Sequence, residues 1–524
     1  MARTTSVSSS VARTLAVLGT SINIQVRSSS RSTNPDIDTF AGCACDVPSA
    51  LYSLSYEQNT DWSRVLPTNA EIESYLLKVA AKYDLLSKMK FRVEVKQCNW
   101  LEEEKLWHMD LEDLADGCRF THRCSILFSA AGQLVYPREL DIPGTETFKG
   151  EIFHSARWNS TASVDGKDVI VIGNGCTAAQ IVPAIVKKTK SLTQIVRSKH
   201  WVFPPVDMPY PSWLRWGFKN LPGLLRLHRL QIFLWAEWDF QLFPMTERAA
   251  KMRNTRRENV ERYMKTTAPA KYHDLLIPDF DVGCKRRIFD SGYLKSLHEN
   301  NLTLTMAKAL EVVPEGIRTT DGVIKADMIV LANGFRTNEF ISPMRVYGRG
   351  GIDLSAHWEK AGGPEAYNCS VLNGFPNFFM ILGPNAATGH TSAIMASENT
   401  INYALRVLKP FMDGTTTTVE IKADAELSYA YQLQADLKKT VWNSGCRSWY
   451  VKANDKEGSS WNAMSYPYSQ AHFWYRSLFP TWKDWNMIVS SSSSNMFSKT
   501  KLTRTSSASL NTLITTYSHP SSHW

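Results

Sequence analysis

No run of about 18 apolar residues occurs in the chain, so no segment reads as a helix spanning a bilayer. No CxxC pair and no His/Cys cluster at zinc-like spacing occurs among the nine cysteines, which removes a structural metal and a dithiol redox motif. No secretory signal is present, and the cysteine count is odd. Together these absences predict a reduced protein of the cytoplasm with no metal. Acidic residues are missing from both ends. Residues 1–35 carry Arg3, Arg13, Arg27 and Arg31 without an acid, and residues 488–524 carry Lys499, Lys501 and Arg504 without one. Seven of the nine net positive charges thus sit in the ends, so the body is nearly neutral and no nucleic-acid groove is expected. The acid-free, Ser- and Arg-rich residues 1–35 read as a disordered tail or a misplaced gene start, with a mitochondrial targeting peptide as the alternative. Residues 488–524 are Ser/Thr-rich and read as disordered.

What remains suits a folded enzyme. The chain has 524 residues, more than one core accommodates, with 43% hydrophobic and 21% charged residues. Apolar spacing predicts a helix over 70–90 and a buried strand over 125–130. Val169–Ile172 reads as a buried parallel strand, followed by a Gly-rich turn, a helix over 177–188 and a second strand over 192–197. Further on come a helical stretch over 211–245, a strand over 328–331, a strand over 378–382 and a helix over 391–408. Strands alternating with helices predict an α/β fold with parallel sheets.

One motif carries chemistry without outside help. Gly173-Asn174-Gly175-Cys176-Thr177-Ala178 fits G-x-G-x-x-G/A, between a strand and a helix. Gly173 permits the tight turn, Gly175 lets the backbone approach a pyrophosphate, and Ala178 lets the helix lie close on the sheet. Thr177 lies in the first helical turn, whose free N–H groups attract phosphate. The second strand ends in Val196-Arg197-Ser198-Lys199 where an NAD site usually carries an acid. A cation there favours the 2′-phosphate of NADPH; a solvated strand end is the plainer alternative.

Phe148-Lys149-Gly150-Glu151-Ile152-Phe153-His154-Ser155-Ala156-Arg157-Trp158 resembles FxGxxxHxxxW, the fingerprint of Baeyer–Villiger monooxygenases. About 450 residues share the resemblance. Gly42 to Ser49, with Cys45, Asp46 and then Tyr52, is similar to the family's flavin-proximal segment. Gly283-Cys284-Lys285-Arg286 is similar to its arginine segment, and Leu331-Ala332-Asn333-Gly334-Phe335 to its ATGF turn, with Asn333 replacing threonine. Gly383-Pro384-Asn385 and Gly389-His390 are similar to its C-terminal flavin segment.

The resemblance implies two Rossmann-like domains. The FAD-binding domain would comprise residues 36–160 and 346–487, and the NADPH-binding domain residues 161–345, with a helical insertion over 205–280. It implies FAD and NADPH as cofactors, O2 and a bulky, secondary-metabolite-like ketone as substrates, and an ester or lactone as product. Arg286 would stabilise anionic oxygen, with Asp46 orienting it and Arg287 as the alternative in register. Lys285 and Arg197 would meet the 2′-phosphate, while Cys45, Tyr52, Asn385 and His390 would line the flavin. Phe148, Gly150, His154 and Trp158 would couple the two domains. Trp158 favours ketone oxidation over the N- or S-oxygenation of related enzymes, whose motif ends in Tyr or Phe. The family's N-terminal strand–GxGxxG–helix, which cradles the FAD pyrophosphate, has no counterpart in the sequence, so the FAD sheet is expected to lack its first strand. An incomplete sequence, an inactive relative that binds only NADP(H), and weak FAD binding through the remainder all stay open. The insertion, with Trp213, Trp216 and Trp235, reads as a cover for the substrate site, or alternatively as a membrane-surface helix.

Overall fold

Five parallel strands form the sheet that carries the nucleotide motif. Their order across the sheet is Leu302–Thr305, Ser191–Ile195, Asp168–Ile172, Met328–Leu331 and Glu151–His154. Two of the three inner strands, Asp168–Ile172 and Met328–Leu331, are nearly all apolar because a parallel sheet is covered on both faces, while Ser191–Ile195 is mixed. The helix Cys176–Ile185 packs on it through Ala178, Ile181, Val182 and Ile185. This is a computed structural model, and it describes residues 3–4, 24–26, 40–446, 448–453 and 460–489. Most of the expected Ser/Thr-rich tail lies outside the described residues.

The predicted elements appear with shifted ends. The first helix spans Asn69–Lys82 and begins at a capping box, in which Thr68 and Glu71 satisfy each other's backbone N–H groups. The 125–130 strand is Leu127–Ser129, paired in parallel with Phe378–Met380. The 391–408 helix is Ala393–Val407, capped by Ser392.

Three parts of the fold were not expected. Val93–Leu101, Leu106–Asp113 and Arg119–Cys124 form an antiparallel meander, joined in parallel by Arg345–Tyr347. A smaller meander comprises Ala309–Val313, Gly316–Thr319 and Gly322–Lys325. The third is a small parallel sheet in which Ile24–Val26 lies between Arg3–Thr4 and Met89–Phe91. Short strand segments within a polar, Ser-rich stretch left no apolar periodicity to read.

The insertion consists of the helices Ser212–Asn220, Leu224–Asp239 and Glu247–Thr267. Phe218, Leu225 and Ile232 pack on Ala50, Leu51, Leu54 and the helix Asn69–Lys82. Arg229 is buried there and donates to the carbonyls of Ala50 and Ser53 at 2.5 and 2.9 Å. The insertion is thereby fastened to the chain just after the 42–49 segment. No helix among the described residues is long and apolar enough to cross a membrane.

Candidate active site

The nucleotide turn is built as its glycines require. Gly173 has φ +132°, and a Cβ there would lie 2.2 Å from the Ala332 carbonyl oxygen. A side chain at Gly175 would meet nothing within 4 Å, so open space lies before the helix N-terminus. Ala178 is fully buried against the sheet, and Thr177 sits half-buried in the first turn. Asn174 is held by Tyr293, whose hydroxyl donates to Asn174 Oδ1 and Gln194 Oε1 at 3.0 Å each.

Arg197 stands exposed beyond the second strand. Lys285 reaches back to the same strand end and donates to the Lys199 carbonyl at 3.3 Å. Burial holds the Lys285 ammonium below its usual range, and the charge of Arg197 adds to this. Two cations facing one place destabilise each other, and an anion between them would relieve both.

The flavin-proximal segment folds onto the nucleotide helix. Gln180 exchanges hydrogen bonds with the backbone of Ala44, at 3.0 and 3.4 Å. Gly42, at φ +81°, comes so near that a Cβ would lie 2.6 Å from the Gln180 carbonyl oxygen. This docking brings Asp46 to Arg286. Arg286 Nε donates to Asp46 Oδ2 at 2.8 Å and Nη2 to Oδ1 at 2.6 Å, a bidentate pair. Burial opposes charge on Asp46, but the guanidinium outweighs it and keeps the carboxyl below its usual range. Asp46 in turn raises Arg286, so both stay ionised. Arg286 lies among Asp46, Cys176 and Tyr450, yet 41% of its side chain meets solvent, so it is open to a bound molecule.

Arg287 points elsewhere. It pairs with Asp239 of the insertion and is largely buried, so the solvent-accessible cation of the two is Arg286. Cys45 and Cys176 are half-buried thiols beside this pair. Burial and the charge of Asp46 push both up, Cys176 to about 11, so they remain protonated. Tyr52 is half-buried in the cluster beneath the insertion.

The C-terminal segment is committed to structure. Asn385, at φ 62°, donates to the carbonyls of Asn462 and Ser465 at 2.7 and 3.0 Å, so its side-chain amide braces the loop. His390 is buried, with Nδ1 2.7 Å from the Thr388 carbonyl and Nε2 2.9 Å from Glu237 Oε1. Glu237 also accepts from the backbone N–H groups of Gln470 and Ala471, which open the helix Gln470–Leu478. Nearby, Gln470 accepts from Thr388 and Thr391 through Oε1, while its Nε2 is buried without a partner.

The fingerprint has a local explanation. Its first half, Glu151–His154, is the edge strand of the nucleotide sheet rather than a free linker. A Cβ at Gly150 would lie 2.2 Å from the Asp327 carbonyl oxygen, and the ring of Phe148 packs over the same spot. His154 Nδ1 accepts from the Ala156 N–H at 3.0 Å, so Nε2 donates to the Gly334 carbonyl at 3.1 Å. Burial keeps this ring neutral. His154 therefore clamps the 333–335 turn, where Asn333 donates to the Glu139 carbonyl. Trp158 stacks edge-on against Phe153 at 5.1 Å.

One cysteine expectation is corrected. The chain was expected to be fully reduced, but Cys284 and Cys446 form a disulfide, with Cα atoms 6.2 Å apart across 162 residues of sequence. Such a separation leaves no motif to read. Gln180, Glu237 and Asp239 were also missed, since each acts through a tertiary contact with no spacing signal.

The flavin-binding monooxygenase-like family matches residues 53–216. A Baeyer–Villiger monooxygenase of Streptomyces coelicolor is 33% identical over 432 residues, covering 81% of this chain and 80% of the relative. The FAD-binding monooxygenase tazF of Aspergillus terreus is 31% identical over 447 residues, covering 83% and 78%. The chain belongs to the Baeyer–Villiger and flavin-binding monooxygenase family. Among solved structures, cyclohexanone monooxygenase from Rhodococcus sp. Phi1 bound to NADP+ matches with a TM-score of 0.79 and 21% identity, over 93% of this chain and 99% of that one. A steroid monooxygenase bound to NADP matches with a TM-score of 0.77 and 22% identity, over the same shares. These two share the fold, two dinucleotide-binding domains in α/β layers.

Proposed function

We propose that this chain, carrying FAD and NADPH, converts a ketone and O2 into an ester or lactone. The single observation that carries the reading is the bidentate, partly exposed Arg286–Asp46 pair beside the nucleotide turn. Oxygen insertion next to a carbonyl builds negative charge on oxygen, and a fixed cation there lowers the barrier without reorganising. Arg286 remains protonated throughout, and Asp46 sets the plane of its guanidinium. The two half-buried thiols nearby are pushed up and hold their protons.

The residues present fit both cofactors. Arg197 and Lys285 form a cationic pair suited to the 2′-phosphate of NADPH, and the Gly173–Ala178 turn suits its pyrophosphate. The unpartnered Gln470 Nε2, beside Thr388 and Thr391, offers a buried donor in the segment that would face the flavin. When bound, FAD supplies the redox chemistry that passes electrons from NADPH to O2. The bracing roles of Asn385 and His390 support a role in shaping the flavin wall rather than direct side-chain contact. The substrate is read as a bulky ketone of secondary metabolism.

The test is the visible spectrum of the purified chain with added FAD, followed by product analysis with a cyclic ketone. A flavin band that NADPH bleaches, and an ester carrying one atom from O2, are expected. Flavin reduction with N- or S-oxide formation and no ester would transfer the protein to the heteroatom-oxidising enzymes. No bound flavin at high FAD would leave NADP(H) binding alone.

A further inference from the structure

From Met208 to Ala236 the insertion contains no acidic residue, while it holds Arg215, Lys219, Arg226 and Arg229. Its two shorter helices are apolar on both sides. The inner face of Leu224–Asp239 is in the core, through Leu225 and Ile232. The outer face presents Leu227, Leu230, Leu234 and Trp238 at spacings of three and four, with Trp235 beside them, all exposed. The preceding helix turns Trp213 and Trp216 outward in the same way. Trp213 is 70% exposed, Trp235 67% and Leu227 64%. Single exposed apolar residues need no explanation, but a stripe along two consecutive helices does.

The turn between these helices adds a second observation. An open cavity of about 220 Å³ is lined there by Lys219, Asn220, Arg226 and the backbone of Leu221–Gly223, with Ser55, Gln58 and Thr60 opposite. No carboxylate lines it, and both cations are exposed. The acids that end the second helix face inward, since Glu237 meets His390 and Asp239 meets Arg256 and Arg287.

We infer that the outer face of Ser212–Asp239 docks on an anionic phospholipid surface, with a lipid phosphate at Lys219 and Arg226. Tryptophan and leucine side chains suit the headgroup–acyl boundary, and cations beside an apolar stripe suit anionic lipid over a neutral one. A protein partner would be expected to answer exposed cations with carboxylates of its own, whereas a bilayer supplies phosphate at every point of the plane. The docking is independent of the catalytic reading and requires no cofactor. It takes up the membrane-surface alternative for the insertion and leaves its inner face free to cover the substrate site.

The experiment is co-sedimentation of the full chain with vesicles of phosphatidylcholine alone and of phosphatidylcholine with about 30% phosphatidylglycerol. Binding to the anionic vesicles that weakens with salt is expected, together with a blue shift of tryptophan emission. The triple variant Leu227→Ser, Leu234→Ser, Trp235→Ser should lose at least tenfold in bound fraction while keeping the far-UV circular dichroism and melting temperature of the parent. Lys219→Glu with Arg226→Glu should abolish the preference for anionic lipid. The proposal is overturned if the parent ignores both vesicles or if the triple variant binds undiminished. It is equally overturned if the parent forms a dimer in solution that the triple variant splits, since a second copy then covers the face.

Discussion

Arg286 and Asp46, 240 residues apart, meet through two parallel hydrogen bonds of 2.8 and 2.6 Å. The pair exists because Gln180 docks the 42–49 segment on the nucleotide helix, so the arginine's orientation depends on contacts beyond the pair itself. Arg286→Ala is expected to lower ester formation by about 10²–10³-fold, the loss usual for one oxyanion-stabilising donor, while NADPH binding persists. Normal ester yield from this variant would remove Arg286 from the chemistry. Asp46→Asn keeps one acceptor and no charge, so it should lower turnover more than it raises the KM for ketone.

The cation pair at the strand end predicts cofactor discrimination. A charge-assisted hydrogen bond contributes about 1.5–3 kcal/mol. Arg197→Ala should therefore raise the Kd for NADPH about 10- to 100-fold and leave that for NADH nearly unchanged. Titration of the purified protein with both nucleotides checks this, and equal losses would assign Arg197 to the solvated surface.

Gly173 tests the turn itself. Gly173→Ala places a methyl group 2.2 Å from the Ala332 carbonyl oxygen at a positive φ. Backbone strain alone costs about 1–3 kcal/mol at such a position, and the clash adds to it. A lowered melting temperature with nucleotide affinity lost is expected. Gly175→Ala meets no protein atom and should fold normally, so its loss of NADPH affinity would isolate the close approach of the pyrophosphate.

The parts of the molecule that could be read beforehand share one property: their signal is local. The parallel strands Val169–Ile172 and Met328–Leu331 are continuous apolar runs, and the nucleotide turn needs glycine at fixed spacing. In the 93–124 meander only Leu106–Asp113 alternates cleanly, with Trp107, Met109 and Leu111 buried, a short period-2 signal that passed unread because no glycine motif precedes it. Arg286 and Arg287 are neighbours of one chemical type, and only Asp46 on one side and Asp239 on the other tell them apart. The reading of His390 as a flavin ligand came from its place beside Gly389; that it holds Glu237 of the insertion is a tertiary fact.

Glu237 links three segments, and its loss should be felt in all of them. Glu237→Gln removes the charge facing His390 and weakens the acceptor for two N–H groups at a helix start. Leaving buried polar groups poorly paired costs about 1–3 kcal/mol. A lowered unfolding midpoint in urea with little change in slope is expected, and a midpoint equal to that of the parent would show that the contact contributes nothing.

His357 predicts how stability responds to alkali. Its Nε2 lies 3.1 Å from Glu426 Oε1 and 3.6 Å from Glu365 Oε1, and both carboxylates are buried. Burial works against charge on the ring, but the two glutamates outweigh it and raise the imidazole to about 9. Burial also pushes the Glu365 carboxyl up, with the charge of Glu426 acting in the same direction. Both groups hold protons more tightly when folded than when unfolded. A group raised in this way stabilises the fold fully below its unfolded value, near 6.5 for the ring, and the contribution disappears as pH rises through the folded value. The melting temperature should thus fall between about pH 7 and pH 9.5, as His357 and Glu365 give up their protons and a buried negative cluster remains. His357→Gln should be less stable than the parent at pH 6.5 and should lose much of that slope. A parent whose melting temperature is level across this range would show that the cluster does not titrate with folding.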